Sequence, residues 1–259
     1  MTDYVRTEQS DGVLTLILNR PEKKNALTRA MYQALGDAID GAELDPNTRC
    51  LLFAGEGEAF TAGNDLGDFA AINRSTPSET GINRHTNPLL QSLARTTTPI
   101  VAAVQGRAVG IGTTMLLHCD LVFLADDALL STPFVNLALV PEAASSLLLP
   151  ARIGHARAFS MFVLGETVNA ATAVAWGLAN SVCPRAELRS RARAAAAAIA
   201  ARPASAVRRT KTLMRDAAAL VARMEVEGQH FAEQLASPEA REAFAAFAEK
   251  RAPDFTKPR

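Results

Sequence analysis

The sequence predicts an α/β fold, and three observations carry the prediction. Short apolar runs bounded by Gly, Pro or Asn recur through the first half of the chain. Between them lie stretches with apolar residues at helical spacing, the alternation that builds strand–helix crossover units. Beyond Pro184 the strand signals thin out and Ala- and Arg-rich helical sequence takes over. A chain of 259 residues can bury a substantial core, and the change after Pro184 divides it into a core, residues 1–185, and a helical segment, residues 186–259.

Residues 12–18 (GVLTLIL) alternate and are rich in branched side chains before meeting Asn19-Arg20-Pro21, which reads as a strand running into a turn. A helix follows: Thr28 is placed to cap it, and Met31, Ala34, Leu35, Ala38 and Ile39 recur at helical spacing before Pro46. Residues 51–54, 100–104 and 121–125 are short apolar runs that suit strands buried on both faces. Past Pro184 one helix is expected over 186–201, a long one after Pro203, and another after Ser237-Pro238. The alanine run at 195–198 sits inside an amphipathic pattern and needs no special role.

Lys plus Arg and Asp plus Glu balance at 27 each, so no overall field favours nucleic acid, and a small-molecule partner is expected. Cys50, Cys119 and Cys183 are scattered, with no CxxC spacing, and read as reduced core residues. His85, His118, His155 and His230 lack metal-ligand spacing, so no metal is expected. Residues 1–12 have no apolar signal region, no run reaches membrane-spanning length, and the last residues are not a peroxisomal tripeptide. The expectation is a cytoplasmic protein with no membrane partner.

One carboxylate stands apart. Between Ala128 and Ala151 the only charged side chain is Glu142, in the run Leu139-Val140-Pro141-Glu142-Ala143-Ala144-Ser145-Ser146. Desolvation beside aliphatic groups raises a carboxyl pKa, and a carboxyl near neutrality is a useful proton shuttle. The same residue could instead cap a helix starting near Ala143 or face solvent.

Two glycine-bearing turns follow strands. Ala59-Phe60-Thr61-Ala62-Gly63-Asn64-Asp65-Leu66 lies beyond the second apolar run, and Val104 through Thr114, with Gly106, Gly110 and Gly112, lies beyond the third. Glycines let backbone approach a ligand closely, and a helix start offers unpaired amides and the positive end of a dipole. Such turns are common in α/β proteins, and the spacing is neither the dinucleotide nor the P-loop fingerprint. Together, side by side, they would make an oxyanion hole.

In combination these segments resemble the crotonase superfamily, the enoyl-CoA hydratase/isomerase proteins, from about Val13 to Phe255. The resemblance is carried by Asn19-Arg20-Pro21 with Lys24-Asn25-Ala26-Leu27, by Ala59-Phe60 with Ala62-Gly63-Asn64-Asp65-Leu66, and by Val104 through Gly112 ending at Cys119-Asp120. Trp176-Gly177-Leu178-Ala179 and Glu249-Lys250-Arg251 complete it. The resemblance implies a spiral of ββα units followed by a C-terminal helical trimerisation segment that also completes the coenzyme A site, in a homotrimer or homohexamer. It implies an acyl-CoA thioester as substrate, with no cofactor beyond the coenzyme A that the substrate itself carries.

Position by position, the resemblance puts the two oxyanion amides on Asn64, after Gly63, and on Ile111, between Gly110 and Gly112. Glycine is frequent at the latter place, and the Ile111 side chain is expected to narrow the pocket. Hydratases of the family use two glutamates, at positions that here hold Thr114 and Phe134, and neither residue is a base near neutral pH. Pro133-Phe134-Val135-Asn136-Leu137 followed by Pro141-Glu142 and Ser145-Ser146 resembles instead the branch that shifts 3-enoyl-CoA to 2-trans-enoyl-CoA. In that branch the glutamate matching Glu142 is the single base. Substrate and coenzyme A contacts are implied at Lys24 (with Lys23 as its substitute), at Ala62 through its carbonyl, at Gly63, Gly110 and Phe134, and on the C-terminal helices at Phe231 and Lys250. Lys250 reads equally as a solvated helix charge. Asp65 is expected to cap the helix after it, and Asn136 to bond Glu142, the substrate or backbone. Residues 68–95 are expected to line the acyl pocket. Three activities fit: the isomerase, another crotonase-type enzyme such as an atypical hydratase, and a non-catalytic acyl-CoA-binding protein.

Overall fold

A computed structural model of the chain describes residues 3–65, 67 and 87–256. Leu66, His85 and residues 68–86 of the expected pocket segment lie outside the described residues. The chain opens with an antiparallel hairpin, β1 (Val5–Ser10) and β2 (Val13–Leu18), turned by Asp11 and Gly12 at positive φ. Sequence reasoning missed β1 because only Val5 of its six residues is buried, which leaves no alternation to read. Helix α1 (Arg29–Leu44) follows, its Thr28 side chain accepting the Met31 amide as the sequence predicts. Next come β3 (Cys50–Gly55), α2 (Pro88–Arg95), β4 (Ile100–Val104) and β5 (Arg107–Val109). One short helical turn, α3 (Ile111–Thr114), continues into a 3-10 turn, Met115–His118. After β6 (Leu121–Ala125) and β7 (Leu129–Ser131), helices α4 (Ser145–Ile153) and α5 (His155–Phe159) lead to β8 (Val168–Asn169), α6 (Ala170–Trp176) and β9 (Ser181–Cys183).

Two sheets result. The larger runs β1-β2-β3-β4-β6-β9, parallel throughout beyond the first hairpin; the smaller runs β5-β7-β8. Each of the pairs β4–β5 and β6–β7 sends one strand to each sheet before a helical stretch, which is the expected ββα repeat. Because side chains alternate along a strand, β3 splits its residues between two cores. Leu51 and Phe53 join Leu16, Leu18, Ala102 and Val104 under α1 and α2, while Cys50 and Leu52 join Val13, Val101 and Ala103 on the opposite face.

That opposite face is covered by α7 (Arg185–Ala200), through Leu188, Ala192, Ala196 and Ala200. Small residues every fourth position let the helix lie close on the sheet. The single long helix expected after Pro203 is two, α8 (Ala204–Leu213) and α9 (Ala217–Leu235), because Asp216 caps the second by accepting the Ala219 amide. Buried Lys211 ties α8 to the core, its Nζ donating to the Thr98 carbonyl and to Asp120, both at 2.9 Å. The last helix, α10 (Pro238–Ala248), is capped by Ser237. Among the described residues no helix is long and apolar enough to cross a membrane.

Candidate active site

The first glycine turn is built on the loop before α1. Asn25, fully buried with φ 54°, donates from Nδ2 to the carbonyls of Glu56, Ala59 and Phe60, while its own carbonyl accepts from the Thr61 hydroxyl. The two segments then run parallel. The Ala62 amide donates to Lys24 O at 2.8 Å, the Leu27 amide to Gly63 O at 2.8 Å, and the Asp65 amide to Leu27 O at 2.9 Å. In such a pairing Leu27 bonds the residues on either side of Asn64, so the Asn64 amide faces away and meets no acceptor among the described residues. Gly63 is required there twice over: its φ is 90°, and a Cβ would stand 2.9 Å from the Val109 carbonyl oxygen.

The second turn lies against the first. Thr61 pairs with Ala108, and the Val109 amide donates to Thr61 O at 3.1 Å. Gly110 then reverses the chain at φ 56°, its carbonyl accepting from the Thr113 and Thr114 amides. That leaves the Ile111 and Gly112 amides as the free donors of a helical first turn, with no acceptor among the described residues. Asn64 and Ile111 each stand three residues past the Thr61–Ala108 pair, at the exits of two turns that this pairing and the Val109 bond hold side by side. Such a pair of donors is what stabilises a developing oxyanion. The Ile111 side chain is wholly buried in the core.

Glu142 faces the same short helix. Its Oε1 accepts from the Thr114 hydroxyl at 3.4 Å, one turn beyond the Ile111 amide. Helix α4 begins at Ser145, its N-cap residue is Ala144, and no amide of its first turn bonds the Glu142 carboxylate among the described residues, so the capping role is not the one this carboxylate fills. The residue as a whole is half-buried. Burial first, and the charge of Glu227 second, push its pKa up to about 8 against a weaker opposing bond from Thr114.

The turn after it is unusual. Ala143 and Ala144 are consecutive left-handed residues, at φ 64° and 54°, a conformation costing roughly 1–2 kcal/mol per non-glycine residue. Two buried side chains hold it. His118 Nε2 donates to the Ala143 carbonyl at 2.7 Å; burial and the Arg215 charge depress His118 to about 3, and Arg215 donates to Nδ1, so the ring is neutral with its proton on Nε2. Glu227, from α9, accepts the Ala144 amide at 2.6 Å and the Ser146 amide at 2.9 Å.

Tyr32 completes the constellation. From α1 its hydroxyl donates to Asn64 Oδ1, and burial, then the Glu142 charge, raise its pKa well above the usual phenol value, keeping it a donor. Neither Tyr32 nor Glu227 was accessible to sequence reasoning: Tyr32 occupies an ordinary core position of α1, and Glu227 sits in a helix rich in charged residues.

The structure brings Asn64, Gly63, Gly110, Ile111, Thr114 and Glu142 together. Ala62 borders the first turn, half-buried, and Lys24 is exposed beside it, bonding Ala62 through backbone. Phe134 is buried and packs against Phe162, the ring centroids 6.1 Å apart and the planes tilted by 43°. Phe231 is half-buried against the core one turn beyond Glu227, and Lys250 is exposed just past α10 with φ 55°. Asp65 accepts the Gly67 amide, as a cap would, and also pairs with Arg20 at 2.6 Å. Asn136 is exposed, against Gly165, with no hydrogen bond to Glu142 among the described residues.

Comparison with known proteins agrees with this geometry. Residues 8–258 match the family described as enoyl-CoA hydratase/isomerase. The 1,2-epoxyphenylacetyl-CoA isomerase of Escherichia coli (strain K12) is 32% identical over 260 residues, covering 99% of each chain. The enoyl-CoA delta isomerase 2 of Rattus norvegicus is 34% identical over 211 residues, covering 79% of this chain and 52% of its own; other relatives are named as probable enoyl-CoA hydratases. The crystal structure of an enoyl-CoA hydratase/isomerase from Pseudoalteromonas atlantica T6c superposes with a TM-score of 0.91 at 41% identity, covering 98% of this chain and 100% of that one. Two free amides on adjoining turns and a family match over nearly the whole length lead to one conclusion: the chain belongs to the enoyl-CoA hydratase/isomerase family.

Proposed function

We propose that this protein isomerises a 3-enoyl-CoA to the conjugated 2-trans-enoyl-CoA with Glu142 as its one base. The observation that carries the reading is the neighbourhood of α3: among the described residues Glu142 is the one carboxylate bonded to it, through Thr114, and Thr114 itself holds the position that the family resemblance gives to a second glutamate in hydratases. Allylic isomerisation needs a proton taken from C2 and one delivered to C4, which one carboxylate on one face of the substrate can do. The thioester oxygen, held by the Asn64 and Ile111 amides, carries the negative charge of the dienolate between the two steps. Hydration needs an activated water as well, and Thr114 is no base for it. The Escherichia coli relative, named as an isomerase of another CoA thioester, favours intramolecular chemistry.

In this reading Gly63 and Gly110 shape the hole and Ala62 and Lys24 meet the pantetheine and adenine. Phe134 backs the acyl group, and Phe231 and Lys250 reach the coenzyme A from the C-terminal helices. Leu213 and Met214, 88% and 83% exposed, give the C-terminal segment an apolar surface suited to a homotrimer or homohexamer in the cytoplasm.

Two measurements test it. Incubation with a 3-enoyl-CoA is expected to give the ultraviolet absorbance of a conjugated thioester, and incubation with a 2-enoyl-CoA to give no 3-hydroxyacyl-CoA. Hydration that Thr114→Val abolishes would replace this reading with the hydratase, and binding without turnover across an acyl-CoA panel would replace it with a non-catalytic protein. Because the base must be ionised, kcat/KM is expected to rise with pH through Glu142's value of about 8 and to level above it. A profile already flat from pH 5 upward would show that Glu142 is not the titrating base.

A further inference from the structure

The C-terminal helices reach the catalytic turn through one side chain. Both carboxylate oxygens of Glu227 are occupied by backbone amides of that turn, Ala144 N at 2.6 Å and Ser146 N at 2.9 Å, and the group is 6% exposed. Those amides flank Ser145, the first residue of α4, whose own amide donates to Glu142 O at 3.1 Å. We propose that Glu227 is a positioning residue, by which helix α9 locks the left-handed turn that aims Glu142 at the substrate. This deepens the isomerase reading and rests on it for the role of Glu142.

A carboxylate is suited to the place because it accepts at both oxygens, whereas an amide side chain would turn a donor toward one of the two N–H groups. The arrangement has a second effect. An ionised Glu227 beside Glu142 opposes a second negative charge, which adds to burial in keeping the base protonated toward neutral pH. The other groups around the turn are Tyr32 from α1, neutral His118 with Arg215 behind it, and Arg152 from α4, which donates to Leu117 O. Burial raises Glu227's own carboxyl above the usual carboxylate range, opposed by its bonds to Ser146 and Ala144 and by Arg223 on its own helix. Of these, Glu227 is the one whose charge raises Glu142.

The test compares full-length wild type with Glu227→Gln and Glu227→Asp. The Glu142 carboxyl is followed by infrared titration, its band identified by loss in Glu142→Gln, in parallel with the pH profile of isomerisation. Glu227→Gln is expected to lower kcat by at least tenfold with KM little changed, and to move the titration of Glu142 down by about one pH unit. Glu227→Asp keeps the charge and is expected to return the titration toward wild type while kcat stays low. Wild-type kcat in Glu227→Gln, with the Ala144 and Ser146 amides as protected from hydrogen exchange as in wild type, overturns the proposal. Absence of turnover in every variant including wild type, with exchange at those amides at least tenfold faster in Glu227→Gln, removes the isomerase reading and leaves the lock standing. Should Glu227→Gln not fold, hydrogen exchange at the Ala144 and Ser146 amides of Glu227→Asp decides: at least tenfold faster exchange supports the lock, and unchanged protection overturns it.

Discussion

Glu142→Gln is expected to lower kcat for isomerisation by about 10²–10⁴-fold, the range of a lost general acid–base group, while leaving the dissociation constant for a non-reacting acyl-CoA within a few-fold of wild type. The reasoning is geometric as well as chemical. Gln keeps the size of the side chain and can still accept from Thr114, whose hydroxyl meets Glu142 at 3.4 Å, so the turn keeps its shape. What it loses is the proton. The loss should also be deeper than any loss at Thr114 or Tyr32, because neither of those can replace a base. Stopped-flow turnover with equilibrium binding separates the two quantities, and a variant with wild-type kcat would remove Glu142 from the mechanism.

Gly63→Ala is expected to have the second largest effect, a fall in kcat of about 10²–10³-fold. The backbone at Gly63 has φ 90°, where alanine is strained, and its Cβ would stand 2.9 Å from the Val109 carbonyl oxygen. Relief must come from moving apart the two turns that bear the Asn64 and Ile111 amides. The hole widens and the oxyanion loses an aligned donor, although no group of Glu142 has been touched. A contrast sharpens the test: at Gly110 a Cβ would meet nothing within 4 Å, so Gly110→Ala carries backbone strain at φ 56°, ψ -116° but no clash between the two turns, and is expected to cost less activity. Equal losses at both positions would argue for a general backbone requirement in place of an oxyanion hole.

The sequence made the site's backbone legible because glycine and apolar runs are local signals. Thr28 caps α1, the runs at β3, β4 and β6 are strands, and Gly63 and Gly110 sit at positive φ as their turns require. Glu142 stood out for the same reason, a lone charge in an apolar stretch. What stayed hidden depends on folding distant segments together. Glu227 lies 83 residues from its partner Ala144 in a helix where one more Glu carries no signal, and Tyr32 looks like any core aromatic until Asn64 is placed opposite it. The strand β1 was missed because its exposed charges mask its period, and the break between α8 and α9 because Asp216 reads as an ordinary polar residue until its capping bond is seen.

The central claim is that one carboxylate carries a proton from C2 to C4. A 3-enoyl-CoA dideuterated at C2, turned over in ordinary water, tests it most directly by mass spectrometry and NMR of the product. Deuterium is expected at C4 in a substantial share of the 2-trans-enoyl-CoA, because the same carboxyl returns what it took. Product with only solvent hydrogen at C4, or a 3-hydroxyacyl-CoA in its place, would contradict the single-base account.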